Sequence, residues 1–245
     1  MPGYGFSGKP TTTGWDPVHI ASAYGELMNR LGYTKYAAQG GDWGAIIVDQ
    51  MGVQEPKGLI GLHTTLPGAV PIEIDAALWS GNPLPPGLSD EEQIACEQIN
   101  LVMGTRPQTL AGLVDSPVGL AAYMLDHDAK SLDMIGRTFD GQKEGLTRDD
   151  VLDNITLIWL TSTAIAAARI YWENKTPFFA AKGVNIPVAV SVFPDEVYLA
   201  PKSWSEQAYP NLIHYNRLPK GGHFAAWEQP ELMTAELRTA FKSLR

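Results

Sequence analysis

The stretch Tyr36-Ala-Ala-Gln-Gly-Gly-Asp-Trp-Gly-Ala-Ile-Ile-Val-Asp-Gln-Met-Gly-Val53 decides the fold of this chain. Residues 36–41 predict a short buried strand, and the apolar residues 44–53 predict the helix that follows it. Between them lies Gly40-Gly-Asp-Trp-Gly44, which has the form Gly-x-nucleophile-x-Gly with aspartate where serine is commonest. In so sharp a turn the central residue takes a positive φ, which aspartate tolerates better than most residues. The pattern predicts that Asp42 projects beyond the sheet at a helix N-terminus, where the helix dipole favours an anion.

The sequence on either side extends this strand–helix pattern. Residues 16–32 predict a helix that Asp16 caps and Pro17 begins. Residues 58–64 predict the next parallel strand, whereas residues 67–87 are rich in proline and glycine and show little regular pattern. Further helices are predicted over residues 90–103, 117–126, 130–137, 148–173 and near 229–243, with strands at 186–193 and 212–218. This order predicts an α/β fold with a parallel sheet, in which residues 1–66 and 181–245 form the core and residues 67–180 form a helical cap.

Composition limits the classes of partner. The chain has 245 residues, of which 44% are apolar and 18% charged, with a net charge of −9. The negative charge argues against nucleic acid or an anionic membrane as a partner. No apolar run reaches the ~18 residues of a membrane span, and no signal-peptide pattern is present. The single cysteine, Cys96, allows no intrachain disulfide; it is predicted to be a buried, inert thiol, and we expect a cytoplasmic protein.

A base and an acid follow the last two predicted strands. His223 stands in the loop Lys220-Gly-Gly-His-Phe224, which can return over the strand ends where ligands of parallel sheets bind. Histidine titrates near neutral pH, so His223 can act as a base. Asp195 and Glu196 follow the preceding strand, and spacing does not decide which of them orients His223. The order nucleophile, acid, base matches the order of catalytic triads on this type of sheet.

Other interpretations of these residues remain open at this stage. Asp42 can be read as a helix cap in a tight turn, and His223 as a loop histidine with ordinary partners. The remaining histidines lie in predicted helices or strands without metal-ligand spacing, so we predict no metal; they are His19, His63, His127 and His214.

Six motifs, taken in order, resemble the epoxide hydrolases of the microsomal type, within the α/β-hydrolase fold. They are Pro2-Gly-Tyr-Gly-Phe-Ser7, Gly40-Gly-Asp-Trp-Gly44, Thr105-Arg-Pro-Gln-Thr109, Asp115-Ser-Pro-Val-Gly-Leu-Ala-Ala122, Phe193-Pro-Asp-Glu196 and Gly221-Gly-His-Phe-Ala-Ala-Trp-Glu228. The match runs through essentially the whole chain. It implies hydrolysis of an epoxide to a vicinal diol without a cofactor, with a small hydrophobic epoxide and water as partners.

The resemblance also implies a role for each site residue. Asp42 attacks a ring carbon and becomes an ester, and water activated by His223 then attacks the ester carbonyl carbon of Asp42. Glu196, which closes Phe-Pro-x-Glu, orients His223, and the backbone N–H of Trp43 binds the oxyanion.

Two cap tyrosines of the family hydrogen-bond the epoxide oxygen. Tyr171, in Ile170-Tyr-Trp-Glu-Asn174, matches one of them. The other is expected six residues before Thr105, where Ile99 stands, and Tyr123 is not expected to take its place.

A second departure concerns the beginning of the fold. The family places several strands before Pro2-Gly-Tyr-Gly-Phe-Ser7, together with a His-Gly-x-Pro motif and an N-terminal membrane anchor. The resemblance therefore implies a sheet truncated on its N-terminal side, with the Asp42 strand at an edge, and poor solubility of the chain expressed alone. Two other functions compete: a haloalkane dehalogenase with the same aspartate chemistry, and a catalytically impaired hydrolase-fold protein. The sequence leaves a homo-oligomer open.

Overall fold

Four parallel strands form the sheet within the part of the chain that the structure describes. The computed structural model describes residues 1–104, 112–142 and 144–245. The strands are β1 (Tyr36–Gly40), β2 (Leu59–Thr64), β3 (Val188–Val192) and β4 (Leu212–Arg217), and they lie in the order β1-β2-β3-β4. All three pairings are parallel, which confirms the predicted α/β architecture.

Helices cover the sheet and fill the long segment between β2 and β3. The first two are α1 (Pro17–Arg30) and α2 (Trp43–Gln54). Those described between β2 and β3 are α3 (Ile72–Ser80), α4 (Asp90–Gly104), α5 (Gly112–Asp115), α6 (Pro117–Leu125), α7 (Ala129–Phe139), α8 (Arg148–Thr161) and α9 (Ala164–Glu173). The later ones are α10 (Lys202–Ala208), α11 (Ala225–Glu228) and α12 (Pro230–Ala240), followed by a 3-10 turn (Lys242–Leu244).

The predicted start of the first helix is confirmed. Asp16 lies just before α1, and its Oδ1 accepts a hydrogen bond of 2.9 Å from the backbone N–H of His19. Pro17 occupies the first helical position, where its missing N–H costs nothing.

The predicted continuous helix over residues 148–173 is wrong. It is divided into α8 and α9, which meet at an angle of 85°. Ser162, with φ of 52°, closes α8 in the left-handed region, and the Oγ1 atoms of Thr161 and Thr163 hydrogen-bond at 2.9 Å. Hydroxyl side chains offer the backbone local alternatives to helical hydrogen bonds, so a break can form without glycine or proline.

No single described helix has the length and apolar character needed to cross a bilayer. Only the bent pair α8 and α9, taken together, reaches that length and composition among the described residues.

Four of the described helices escaped the sequence prediction: α3, α5, α10 and α11. Pro71 and Gly81 bound α3. Proline and glycine are typical of loops, but each is also typical of a helix end. Helix α10 is only 7 residues long and begins after Pro201. Short helices carry too little periodicity for the pattern to distinguish them from turns.

The sheet packs differently on its two faces. Val190 of β3 belongs to a buried apolar cluster with Val48 of α2 and Trp204 of α10. Ser191 faces the opposite side and donates a hydrogen bond of 2.8 Å to Glu236 of α12. Burial on both faces explains why β3 reads as a continuous run of small and β-branched residues.

The segment between β2 and β3 closes at its base through backbone hydrogen bonds. Val70 donates to Phe179 O at 3.0 Å, and Ala181 donates to Val70 O at 3.2 Å. Cys96 and Ile99 of α4 are buried in the same cluster as the sheet residues. The burial predicted for Cys96 is confirmed, while the division into core and cap stays a prediction.

A buried ion pair ties α2 to the chain that returns to β3. Lys182 Nζ lies 3.6 Å from Asp49 Oδ2, and both side chains are buried. The Tyr209 hydroxyl donates to Asp49 at 3.1 Å, and Lys182 donates to the carbonyls of Phe178 and Ala180. Burial raises the pKa of Asp49 and lowers that of Lys182, but the two groups offset each other's desolvation. Since α2 begins directly after Asp42, this ion pair helps to fix the helix that follows the Asp42 turn.

We predict that Lys182→Met lowers the free energy of unfolding by about 3 kcal/mol, because it leaves the buried Asp49 carboxylate without an opposite charge. Urea unfolding measures the loss. The double variant Asp49→Asn/Lys182→Met should lose less, since no unpaired charge remains. Lys202→Met, which breaks an exposed pair with Glu206, is the control and should change little. An equal loss in Lys182→Met and Lys202→Met would contradict the proposed contribution.

Candidate active site

Asp42 stands in a strained turn between β1 and α2. Its φ is 51° and its ψ is −131°, so the predicted positive φ is confirmed. A Cβ on Gly40 would lie 2.0 Å from Gly44 O, and one on Gly41 would lie 2.6 Å from Thr65 Oγ1. The turn therefore needs glycine at both positions. It presents the Asp42 carboxylate to a cavity above the carboxyl ends of the strands.

Three side chains from separate loops meet here. His223 Nε2 lies 2.8 Å from Asp42 Oδ2, and His223 Nδ1 lies 2.6 Å from Glu196 Oε1. The side chains of His223 and Glu196 are 2% and 0% exposed. Asp195, the other candidate acid, is 43% exposed and faces Lys130 at 3.6 Å. The contact with His223 is made by Glu196, so the geometry agrees with the role that resemblance gives it; the role itself stays a prediction.

Glu228 holds the backbone around His223, and sequence reasoning did not single it out. Its Oε2 accepts from Gly222 N–H at 2.7 Å and its Oε1 accepts from Phe224 N–H at 2.9 Å. The Glu228 carboxylate thus binds the backbone on both sides of His223. Burial raises the pKa of Glu228, and the two N–H donors act against that rise. Its position five residues after His223 in the quoted motif was the available signal.

The two carboxylates keep His223 protonated at neutral pH. Burial alone lowers the pKa of His223, but the charges and hydrogen bonds of Glu196 and Asp42 raise it to about 10. Burial likewise raises the pKa of Asp42, yet the hydrogen bond and charge of His223 and the charge of His127 leave it below its ordinary value. The resting pair is therefore an imidazolium beside a carboxylate, which is the ionised form that Asp42 needs as a nucleophile.

Trp43 contacts the nucleophile through its backbone and lines the site through its ring. Its N–H donates to Asp42 Oδ1, which leaves Oδ2 on the side of His223. The indole packs edge-on against Tyr171, with centroids 4.8 Å apart, and against Phe178 at 5.1 Å. The N–H lies where an oxyanion on Oδ1 would form, so the geometry agrees with the oxyanion role that stays predicted for Trp43.

Two tyrosines from the helical segment line the cavity, and one of them was not expected. The cavity lining includes both Tyr171 of α9 and Tyr123 of α6. Burial, followed by the charges of Asp42 and Tyr123 and a hydrogen bond with Tyr123, raises the pKa of Tyr171. Ile99 instead lies buried in the core cluster outside the cavity lining. Helix α6 thus brings Tyr123 to the cavity, whereas Ile99 of α4 packs in the core; the expectation that Tyr123 does not replace the second tyrosine of the family stays a prediction.

The cavity has a volume of about 1420 Å³ and is mainly apolar. Its apolar walls include Leu66, Ile155, Phe178 and Trp227, and its polar groups converge on Asp42. Tyr4 also lines it and donates to Ala167 O at 3.1 Å. The motif at residues 105–109, quoted above, lies outside the described residues.

Asp42, His127 and His223 are a group that could hold a metal ion by distance alone. One oxygen of Asp42 and one ring nitrogen of each histidine lie within 4.8 Å of one another. The two imidazoles, however, are stacked with centroids 4.0 Å apart and planes within 19° of parallel. Lone pairs in nearly parallel planes do not converge on one point at ~2.0–2.1 Å, the usual metal–nitrogen distance. The arrangement does not suit a metal without rotation of a ring, and the absence of a metal stays a prediction.

Comparison with known proteins shows which proteins this chain resembles. No family model matches the chain. A Stigmatella aurantiaca protein provisionally named an epoxide hydrolase is 44% identical over 100% of this chain. Epoxide hydrolase 1 of Oryctolagus cuniculus is 31% identical over 97% of it. The chain is a relative of the epoxide hydrolases.

Solved structures of epoxide hydrolases agree in fold. Juvenile hormone epoxide hydrolase from Bombyx mori superposes with a TM-score of 0.76 at 28% identity, covering 99% of this chain and 62% of that one. Aspergillus niger epoxide hydrolase gives 0.74 at 26% identity, covering 100% and 62%. The α/β-hydrolase fold implied by resemblance is thereby confirmed. The chain spans 55% and 57% of the length of the Stigmatella and Oryctolagus relatives.

We predict that Asp42→Asn lowers the pKa of His223 from about 10 towards its ordinary value, because one of the two raising carboxylates is removed. Titration of the ring nitrogen signals by NMR measures the shift. His63 serves as an internal control, since burial lowers its pKa to about 4 and its contacts lie away from Asp42. An unchanged His223 pKa in the variant would show that Asp42 does not contribute.

We predict that Glu228→Gln lowers kcat by roughly tenfold while KM changes less, because an amide has one acceptor oxygen and cannot hold both N–H groups beside His223. Steady-state kinetics measures the change, with thermal unfolding followed in parallel. Glu231→Gln, on the exposed first turn of α12, is the matched control. Equal activity of Glu228→Gln and Glu231→Gln would refute the positioning role.

Proposed function

We propose that this chain carries the catalytic site of an enzyme that hydrolyses epoxides to vicinal diols through a covalent ester on Asp42. The observation that carries the proposal is the convergence of an ionised, turn-strained aspartate, a carboxylate-held histidine and two tyrosines in one apolar cavity. Serine-type sites need a carbonyl carbon to attack, whereas an epoxide carbon is saturated and is opened by a carboxylate. A small hydrophobic epoxide suits the apolar walls.

In the ring-opening step, Asp42 Oδ2 attacks an epoxide carbon while Tyr171 and Tyr123 hydrogen-bond the epoxide oxygen. The raised pKa of Tyr171 keeps its phenol protonated until the ring opens. The C–O bond of the ring breaks, and the new alkoxide takes a proton from a phenol. Oδ1, which accepts from the Trp43 N–H, becomes the carbonyl oxygen of the ester.

Ester formation itself prepares the base for the next step. The alkylated Asp42 has no charge, so one of the two carboxylates that raise the pKa of His223 is lost. His223 then gives up its proton, which ends on the tyrosinate left by ring opening, and it can accept a proton from water. Water attacks Asp42 Cγ, the negative charge collects on Oδ1 beside the Trp43 N–H, and collapse releases the diol.

A haloalkane dehalogenase is the second candidate, and one observation favours it. The indole Nε1 of Trp43 is buried beside Tyr171 in the cavity wall, and an indole N–H is a suitable donor to a leaving halide. The two tyrosines and the epoxide hydrolase relatives favour the epoxide reaction.

We predict that His223→Gln accumulates alkylated Asp42 when mixed with an aryl epoxide, because ring opening proceeds and ester hydrolysis lacks its base. Mass spectrometry of the Asp42 peptide measures the adduct. Asp42→Asn/His223→Gln is the control and should carry none. A parallel incubation with a bromoalkane tests the second candidate through bromide release. Absence of any adduct from the epoxide, or an adduct on the double variant, would refute the assigned nucleophile.

A further inference from the structure

His127 is a second histidine in the cavity, and its ring is fixed by a carboxylate. Its Nδ1 lies 2.7 Å from Asp128 Oδ2. Asp128 also accepts from Lys130 N–H and Ser131 N–H, both at 2.9 Å, and from Ser131 Oγ at 2.6 Å. The Asp128 carboxylate therefore both caps α7 and orients the His127 imidazole. With Nδ1 engaged, Nε2 is the nitrogen that remains to exchange protons.

The position of His127 connects it to the reacting carboxylate. The ring stacks on His223 with centroids 4.0 Å apart and contacts Phe224 edge-on at 5.1 Å. One of its nitrogens lies within 4.8 Å of a carboxylate oxygen of Asp42. One water molecule can bridge such a distance by two hydrogen bonds. Since His127 and Asp128 lie between α6 and α7, the helical segment delivers a second histidine–carboxylate pair to the triad.

The chemistry has a use for a second proton acceptor, and this step rests on the proposed function. The oxygen of the hydrolytic water stays in the Asp42 carboxyl group, so both of its protons must leave. One proton ends on the diol oxygen that was the ester oxygen. The other must return to the tyrosine that gave its proton to the alkoxide during ring opening. His223 is an imidazolium when the ester forms, so it must release its own proton before it can accept one from water, and a neighbouring group is needed to carry that proton towards the tyrosinate.

We propose that His127, held by Asp128, is a second acid–base residue of ester hydrolysis. After ring opening, His223 gives its proton through a bridging water to His127, whose nitrogen lies within 4.8 Å of it, and His127 passes that proton to the tyrosinate. Water then attacks Asp42 Cγ and gives one proton to the neutral His223. The bond from Cγ to the ester oxygen breaks, and the leaving alkoxide takes that proton from His223. The proton that remains on the Asp42 carboxyl group passes to His223 Nε2, which lies 2.8 Å from Oδ2, and the resting imidazolium and carboxylate are restored.

Two variants separate proton transfer from packing. His127→Phe keeps an aromatic ring against His223 and removes both nitrogens. Asp128→Asn keeps an acceptor for the cap of α7 and removes the charge that orients His127. His19→Phe is the matched control, because His19 is an exposed histidine stacked on Trp15, with no contact to the triad.

Rapid-quench mass spectrometry measures ester formation and ester decay separately. We expect His127→Phe to form the Asp42 ester at close to the wild-type rate and to hydrolyse it roughly 100-fold more slowly. Asp128→Asn should show a smaller change in the same direction, and His19→Phe should match the wild type. Added imidazole should restore ester decay in His127→Ala, whose cavity has space for it, and should not do so in His127→Phe.

The outcomes are distinguishable from a failure of the proposed function. If wild-type ester decay persists in His127→Phe, or if formation and decay fall together in His127→Ala without rescue by imidazole, the second acid–base role is overturned. If His223→Gln forms no ester at all, the proposed function fails first, irrespective of His127.

Discussion

The positive φ of Asp42 is the constraint on which the rest of the site depends. A turn this tight between β1 and α2 leaves no room for a Cβ at Gly40, and it aims the carboxylate away from the sheet. The packing of α2 stabilises the strained backbone conformation of Asp42. Helix α2 is buried along its length, and Asp49 on that helix is paired with Lys182. A non-glycyl left-handed residue costs free energy, which such packing must offset.

Electrostatics then links the turn to the loops after β3 and β4. Glu196 and Asp42 flank His223, so the imidazole carries a proton at rest and Asp42 stays ionised. A base that is protonated in the resting state would be useless for hydrolysis if nothing changed. In the proposed mechanism, alkylation neutralises Asp42 and supplies that change. The order of the two steps is therefore built into the charges of the site.

The helical segment between β2 and β3 contributes the groups that the triad lacks. Tyr171 and Tyr123 bring phenols to the cavity, and His127 brings a second imidazole against the first. These residues come from α9, α6 and the turn before α7, which are far apart in the chain from Asp42. The loops at the end of the sheet thus provide Asp42 and His223, while the helical segment provides the tyrosines and much of the apolar cavity lining.

The sequence by itself determined the elements whose signals are local. The glycines and aspartate of residues 40–44 required a particular turn, and Asp16 and Pro17 required a helix start. The period of the strands and the order of the motifs gave the parallel fold, and the relatives agree with it. Where signals were weak, as at Ser162 and in α3, prediction failed because short hydroxyl-rich breaks and short helices carry little pattern.

Only the tertiary structure decided which side chains share the cavity. The sequence did not predict Tyr123 in the cavity, and it is the packing of α6 and α4 that places Tyr123 in the cavity wall and Ile99 in the core. His127 had no metal-ligand spacing, yet the fold places it on His223 from 96 positions earlier in the chain. Sequence period fixes which face of an element is apolar, but side-chain convergence depends on how separate elements pack, which no local pattern encodes.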